Sequence, residues 1–215
     1  MEQYSISSSS PVPTNKPRRL TRRQGIIAAA LLVIATAGVL VAARLLTGSS
    51  EPPSPLLADG GFEKPRVPAF TVATIAAGQS VGAWTVTQGG VDHIGPGYWE
   101  AAEGTQSVDL SGLVDGAVKQ TFNTIPGATY LVEFFLAGNP DGAPRAKTGR
   151  AMVDGQVAKE FSFDSSAKTA AAMGFQKIAF SFTARGSQST VEFRSTCSSP
   201  WGPVLDNVTV TMNTR

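Results

Sequence analysis

"TYLVEFFLAG", residues 129–138, puts Tyr130, Val132, Phe134 and Leu136 on a single face if the chain is extended. Successive side chains of a strand point to opposite sides, so this alternation marks a strand with one face in a core. "KIAFSFTA" (177–184) repeats the pattern, with Ile178, Phe180, Phe182 and Ala184 set against Lys177, Ala179, Ser181 and Thr183. "TVEFRS" (190–195) sets Val191 and Phe193 against Glu192 and Arg194. Further strands are expected at 70–75, 81–87, 107–110, 117–122, 149–153 and 157–163. Clusters such as "AAGQS", "IGPGY", "LVDGA", "GNPDGAP", "VDGQ" and "ARGSQS" separate them. Short alternating strands punctuated by Gly, Pro, Asn and Asp predict an antiparallel β-sandwich. "SSAKTAAAMG" (165–174) fits a helical turn or a long loop, and no internal repeat is present.

Near the C-terminus, "GPVLDNVTV" (202–210) reads as a turn and a strand, with Val208, Val210 and Met212 on one face. Asp206 and Asn207 interrupt that alternation where the strand begins.

The net charge of +2 over 215 residues conceals an asymmetry. Residues 1–55 carry Lys16, Arg18, Arg19, Arg22, Arg23 and Arg44 against Glu2 and Glu51, a net of +4. The remaining twelve basic and fourteen acidic groups leave residues 56–215 at −2. The folded part therefore lacks the basic footprint of a nucleic-acid binder. One cysteine, Cys197, excludes an intrachain disulfide and any zinc site built from several thiolates. A buried free thiol is its expected state.

Residues 25–43, "GIIAAALLVIATAGVLVAA", contain no charged side chain. At about 1.5 Å per residue the run spans roughly 28 Å as a helix, close to a hydrocarbon core of about 30 Å. Leu45 and Leu46 extend it past Arg44, which can snorkel. Positive charges precede it, so the N-terminus is expected in the cytoplasm and everything after residue 47 outside. The expected order is a disordered basic tail (1–24), a transmembrane signal-anchor helix (25–46), a Pro/Ser linker (47–57) and the β-domain (58–213). The alternative is a secreted protein cleaved after "VAA" near residue 43.

Six ordered stretches carry a family resemblance: "DGGFEKP" (59–65), "GAWTV" (82–86), "VDHIGPGYW" (91–99), "GTQSVDLSG" (104–112), "QTFNTIPGATYLVEFFLAGNP" (120–140) and "GPVLDNVTV". Together they resemble the choice-of-anchor C family and the related plant cell-wall domain of unknown function 642, within the galactose-binding-like jelly rolls. The resemblance implies an extracytoplasmic jelly-roll module that binds polysaccharide or associates with a wall. Plant members carry cysteine pairs, and this chain keeps only Cys197. In many carbohydrate-binding jelly rolls a structural calcium ion ties an N-terminal "GxFE" to an acid of the last strand. The resemblance thus implies Gly61 (through its backbone oxygen), Glu63 and Asp206 as calcium ligands. Calcium takes six to eight oxygens, so these three need others. In the local alternative, Asp206 and Asn207 bond nearby backbone amides.

Trp84 lies in an alternating stretch and is expected in the core. Tyr98 and Trp99 follow "IGPG", and Trp201 sits in "SSPWGP", so loops carry all three. Aromatic faces pack on sugar C–H groups while polar neighbours bond hydroxyls. Trp99, Trp201, Tyr98, Asn139 and His93, the sole histidine, are therefore the expected ligand contacts. Polysaccharide or cell-wall glycan is the expected partner. A structural or protein-interaction module of the envelope is the alternative. A glycan-active hydrolase is the remoter one: a carboxylate pair among Asp92, Glu100, Glu103 and Asp109 would serve it. His93 is the only candidate base for a serine triad, no "GxSxG" occurs, and the expectation is no enzyme.

Overall fold

The computed structural model describes residues 55–213. The expected tail, the membrane helix and most of the linker lie outside the described residues. Among the described residues no helix is long and apolar enough to cross a membrane.

Twelve strands form: β1 (Val72–Ala76), β2 (Ser80–Val81), β3 (Trp84–Gln88), β4 (Gly90–Ile94), β5 (Ser107–Asp109), β6 (Ala117–Asn123), β7 (Thr129–Gly138), β8 (Ala146–Val153), β9 (Gln156–Asp164), β10 (Gln176–Thr183), β11 (Gln188–Ser195) and β12 (Pro203–Met212). They make two six-stranded sheets, in the orders β1-β4-β5-β12-β7-β10 and β2-β3-β6-β11-β8-β9. Every pairing is antiparallel. This is the expected sandwich.

The alternation explains the layering. Tyr130, Val132, Phe134 and Leu136 of β7 are buried, as are Val191 and Phe193 of β11. Phe134 and Phe193 meet across the interface at 4.9 Å between ring centroids. Trp84 is fully buried between Phe62 and Phe193, and its Nε1 donates to the Asp59 carbonyl at 2.9 Å. Each such side chain contributes about 1.5–3 kcal/mol by leaving water.

Three local features depart from the expected strands. The single strand foreseen at 81–87 is a tight hairpin, because the chain turns at Gly82–Ala83 between β2 and β3. Strand β4 was hidden by its Asp92–His93 pair, which breaks the apolar rhythm although His93 faces inward. Residues 165–174 form an irregular connection with one isolated bridge, Thr169 to Ala172, and no helix.

Strand β12 carries a bulge between Asp206 and Thr209, and Asn207 adopts φ +44° there. Asn is among the few residues that tolerate this region. The bulge turns the Val208 N–H out of the ladder to donate to the Gly60 carbonyl at 2.9 Å. The first and last motifs of the domain are thus neighbours in space.

Candidate functional site

The strand registers gather several connections at one end of the sandwich. Val204 at the start of β12 pairs with Asp109 at the end of β5, and Pro203 pairs with Gly138 at the end of β7. The β5–β6, β7–β8 and β11–β12 connections therefore emerge side by side. Trp201 stands on the last of these and is 41% exposed.

Buried polar side chains fix its position. Asp109, 1% exposed, accepts the Gly202 N–H at 3.1 Å, the Ser111 N–H at 2.9 Å and the Asn139 Nδ2 at 2.8 Å. A Cβ on residue 202 would collide with the Asp109 carboxylate, so glycine permits the approach. Lys147 is fully buried, and its Nζ donates to the Gly142 carbonyl at 2.8 Å and the Trp201 carbonyl at 2.9 Å. The Ser199 hydroxyl accepts the Trp201 N–H at 3.2 Å and donates to the Ala143 carbonyl. Gly142 lies against the indole itself, where any larger residue would strike the ring. Burial pushes the Asp109 carboxyl up to about 7, and the Asp92 charge adds to that rise against its hydrogen bonds. Burial also pushes the Lys147 ammonium down.

Beside Pro200 lies a depression of about 550 Å³ lined by Gln88, Leu113, Val114, Asp115, Ser198 and Ser199, among others. Leu113 and Val114 are exposed. Asp115 is held by the Ser195 hydroxyl at 2.7 Å and the Ser198 N–H at 3.0 Å. This end thus offers an indole and two aliphatic side chains beside carboxylate, amide and hydroxyl groups.

The other expected contacts are placed differently. Trp99 is 7% exposed, lies in the core cluster and donates its Nε1 to the Ser107 hydroxyl at 2.9 Å. It belongs to the β4–β5 connection, which enters β5 at the end opposite Asp109, so Trp99 and Trp201 do not flank one site. His93 is 1% exposed, with Nε2 2.7 Å from the Phe62 carbonyl and 3.2 Å from the Gln106 amide. Burial lowers its pKa. Both residues, expected on the ligand-facing side, lie in the interior of the module. Asn139 is buried, and its amide donates to Asp109 and accepts the Asp141 N–H at 3.0 Å. Tyr98 is exposed and packs edge-on against Trp99. Asp109 and Lys147 escaped the sequence reading as supports, because only the tertiary fold turns these charged groups inward.

Among the candidate catalytic carboxylates, Asp92 and Asp109 face each other as register partners of β4 and β5. Asp109 is sealed, Glu100 Oε2 accepts the Met173 N–H, and Asp92 accepts the Thr74 hydroxyl.

Glu63 and Asp206 converge on one loop. Glu63 Oε1 accepts the N–H groups of Thr105 and Gln106 at 2.7 and 2.9 Å, and Oε2 the Thr105 hydroxyl at 3.0 Å. Asp206 Oδ2 accepts the N–H groups of Ala102 and Glu103 at 2.7 and 3.0 Å, and Oδ1 that of Asn207 at 2.7 Å. Gly61 backs onto the Glu103 carboxylate. Each carboxylate thus spends about three of its four acceptor positions on donors. Among the described residues no three His, Cys, Asp or Glu side chains gather as a metal-holding group. The donor set fits a loop clamp better than a calcium cage.

Fold and loop end together define an all-β sandwich module with one buttressed aromatic rim. The chain belongs to the family described as protein of unknown function (DUF642), whose model matches residues 55–211. The resemblance read from its six motifs to that domain is thereby shown. A curated relative is Halomucin of Haloquadratum walsbyi (strain DSM 16790 / HBSQ001), 26% identical over 140 residues. That alignment takes in 63% of this chain and about 1% of Halomucin's length. Among solved structures, a family 35 carbohydrate binding module from Clostridium thermocellum is similar at 15% identity and a TM-score of 0.45, covering 66% of this chain and 99% of that one. The CBM22-1 xylan-binding domain of Paenibacillus barcinonensis Xyn10C is similar at 13% identity and 0.45, covering 66% and 93%. TmCBM61, solved with beta-1,4-galactotriose, is similar at 12% identity and 0.45, covering 74% and 99%.

Proposed function

We propose that residues 55–213 form a non-catalytic module that binds carbohydrate at the loop end. One observation carries this reading: the fold commits a buried acid, a buried lysine and a buried amide to fixing the segment of a single exposed tryptophan. A preorganised indole beside hydroxyl, amide and carboxylate groups suits the mixed apolar and polar surface of a sugar. In this reading Glu63 and Asp206 hold their loop through amides, and calcium is not needed there. The uncharged run at 25–43 and the basic residues before it support membrane anchoring with the module outside.

A protein partner is the second reading, favoured by the exposed Leu113 and Val114 in the depression beside Pro200. Titration of the full-length chain with a glycan panel separates the two. Saccharide binding that Trp201→Ala abolishes supports the first. Absence of any saccharide binding overturns it. For topology, protease shaving of intact cells is expected to remove the module while the N-terminal segment stays with the membrane.

A further inference from the structure

The outer face of the second sheet places two arginines directly opposite each other. Arg194 of β11 is the register partner of Arg150 of β8, and Arg150 in turn lies opposite Glu160 of β9. Like charges facing each other across two strands destabilise a sheet. For Arg194 the conflict is relieved locally, since its Nε and Nη2 both donate to Glu192 Oε1, at 3.1 and 2.6 Å. Arg150 has no such relief. Among the described residues its guanidinium makes no hydrogen bond, and the only ion pairs there are Lys177–Glu133 and Arg194–Glu192.

The unpaired guanidinium lines a depression of about 340 Å³ bounded by Thr148, Glu160, Ser162 and Thr196. Two of those hydroxyls are already ordered, with Thr196 Oγ1 donating to Thr148 Oγ1 at 2.9 Å and Thr148 Oγ1 donating to the Thr196 carbonyl at 3.2 Å. The pocket thus combines one free planar cation, a row of hydroxyls and one carboxylate acceptor.

We propose that this face is a second binding site, distinct from the Trp201 end, which takes a uronate unit of an acidic polysaccharide through its carboxylate on Arg150. A guanidinium presents a fork of N–H donors that matches a carboxylate in two parallel bonds. Thr148, Ser162 and Thr196 meet the neighbouring sugar hydroxyls, and Glu160 accepts from one of them. Bound carboxylate gives the Arg150 guanidinium the direct ion pair that it does not make with Glu160 across the strands.

The test titrates the full-length chain with hexamers of β-1,4-glucuronate, α-1,4-galacturonate and alginate, each beside its carboxyl-reduced neutral counterpart. At least one uronate hexamer is expected to bind tenfold or more tightly than its neutral form. Arg150→Gln is expected to erase that preference while melting no lower than the parent, since it removes the like-charge pair. Trp201→Ala is expected to leave the preference intact. Uronate and neutral forms binding equally, or Arg150→Gln retaining the preference, overturns this site. Neutral binding through Trp201 with no uronate preference discards the second site and leaves the loop-end reading standing. Uronate binding through Arg150, with no saccharide in the panel whose binding depends on Trp201, does the reverse.

Discussion

Glu63 and Asp206 grip the same loop from two sides: Glu63 takes the amides of Thr105 and Gln106, and Asp206 those of Ala102 and Glu103. One residue lies just before the sandwich begins and the other in its last strand, so the loop is the clasp between the domain's first and last segments. The backbone N–H groups of Ala102, Glu103 and Asn207 offset part of the cost of burying the Asp206 carboxylate.

Asp206→Ala is therefore expected to destabilise the module by on the order of 1–3 kcal/mol, because it strands amide donors that lack another acceptor. Urea unfolding measures the loss. Melting temperatures with added calcium and with a chelator are expected to coincide for the parent. A calcium-dependent rise that disappears in Asp206→Ala would show that an ion shares the clasp after all.

The pH dependence follows from two buried acids. Burial pushes Asp109 and Asp206 each up to about 7, against an unfolded value near 3.9. Between those values the folded state binds more protons than the unfolded one, so the contribution of each acid to stability falls as pH rises from about 4 to about 7. His93, whose pKa is lowered by burial, acts in the opposite sense below about 6.5. The difference between parent and Asp109→Asn isolates the first effect. Relative to the parent, the variant is expected to gain stability steadily as pH is raised from 4 to 7 in chemical denaturation. A pH-independent difference would show that Asp109 titrates normally.

The three tryptophans are expected to divide by role. Trp99→Ala removes a buried ring and its bond to Ser107, and is expected to cost about 3–5 kcal/mol of stability, as is Trp84→Ala. Trp201→Ala is expected to leave stability within about 0.5 kcal/mol of the parent and to weaken glycan binding by on the order of 1–3 kcal/mol. Calorimetric melting paired with glycan titration checks both halves. Trp99→Ala that folds normally and loses only binding would restore Trp99 to the site.

The sandwich was legible because period-two alternation survives wherever one face of a strand meets the core, as in β7, β10 and β11. It failed for β4, where the inward His93 reads as polar although it bonds the Phe62 carbonyl inside. Loop aromatics were harder to place. "PGYW" and "SPWG" look alike in sequence, and only tertiary packing sends Trp99 inward to Ser107 and leaves Trp201 at the rim. Asp206 and Asn207 were read both as ion ligands and as local amide acceptors. Asp206 takes one local amide, that of Asn207, but its other two, from Ala102 and Glu103, come from a loop more than a hundred residues away, which sequence proximity does not reveal.

Lys147 offers the sharpest test of the loop end. Its ammonium is buried without a carboxylate within ion-pair distance, and it bonds only the carbonyls of Gly142 and Trp201. Placing a lysine there is costly, and its return is to join the β7–β8 connection to the residue that carries the indole. Lys147→Met keeps most of the stem's volume and removes the two donors. Two carbonyls then lose a partner, at a cost of about 1–3 kcal/mol where no water replaces it. Relief of the buried charge offsets part of that, so the net change in melting is expected to be small. Local order is where the variant is expected to differ. Hydrogen exchange at Asn139 and Gly202 is expected to accelerate, because their amides are bonded within this end. Affinity for a Trp201-dependent glycan is expected to fall in step. Unchanged exchange with unchanged affinity would show that Asp109 alone positions the tryptophan.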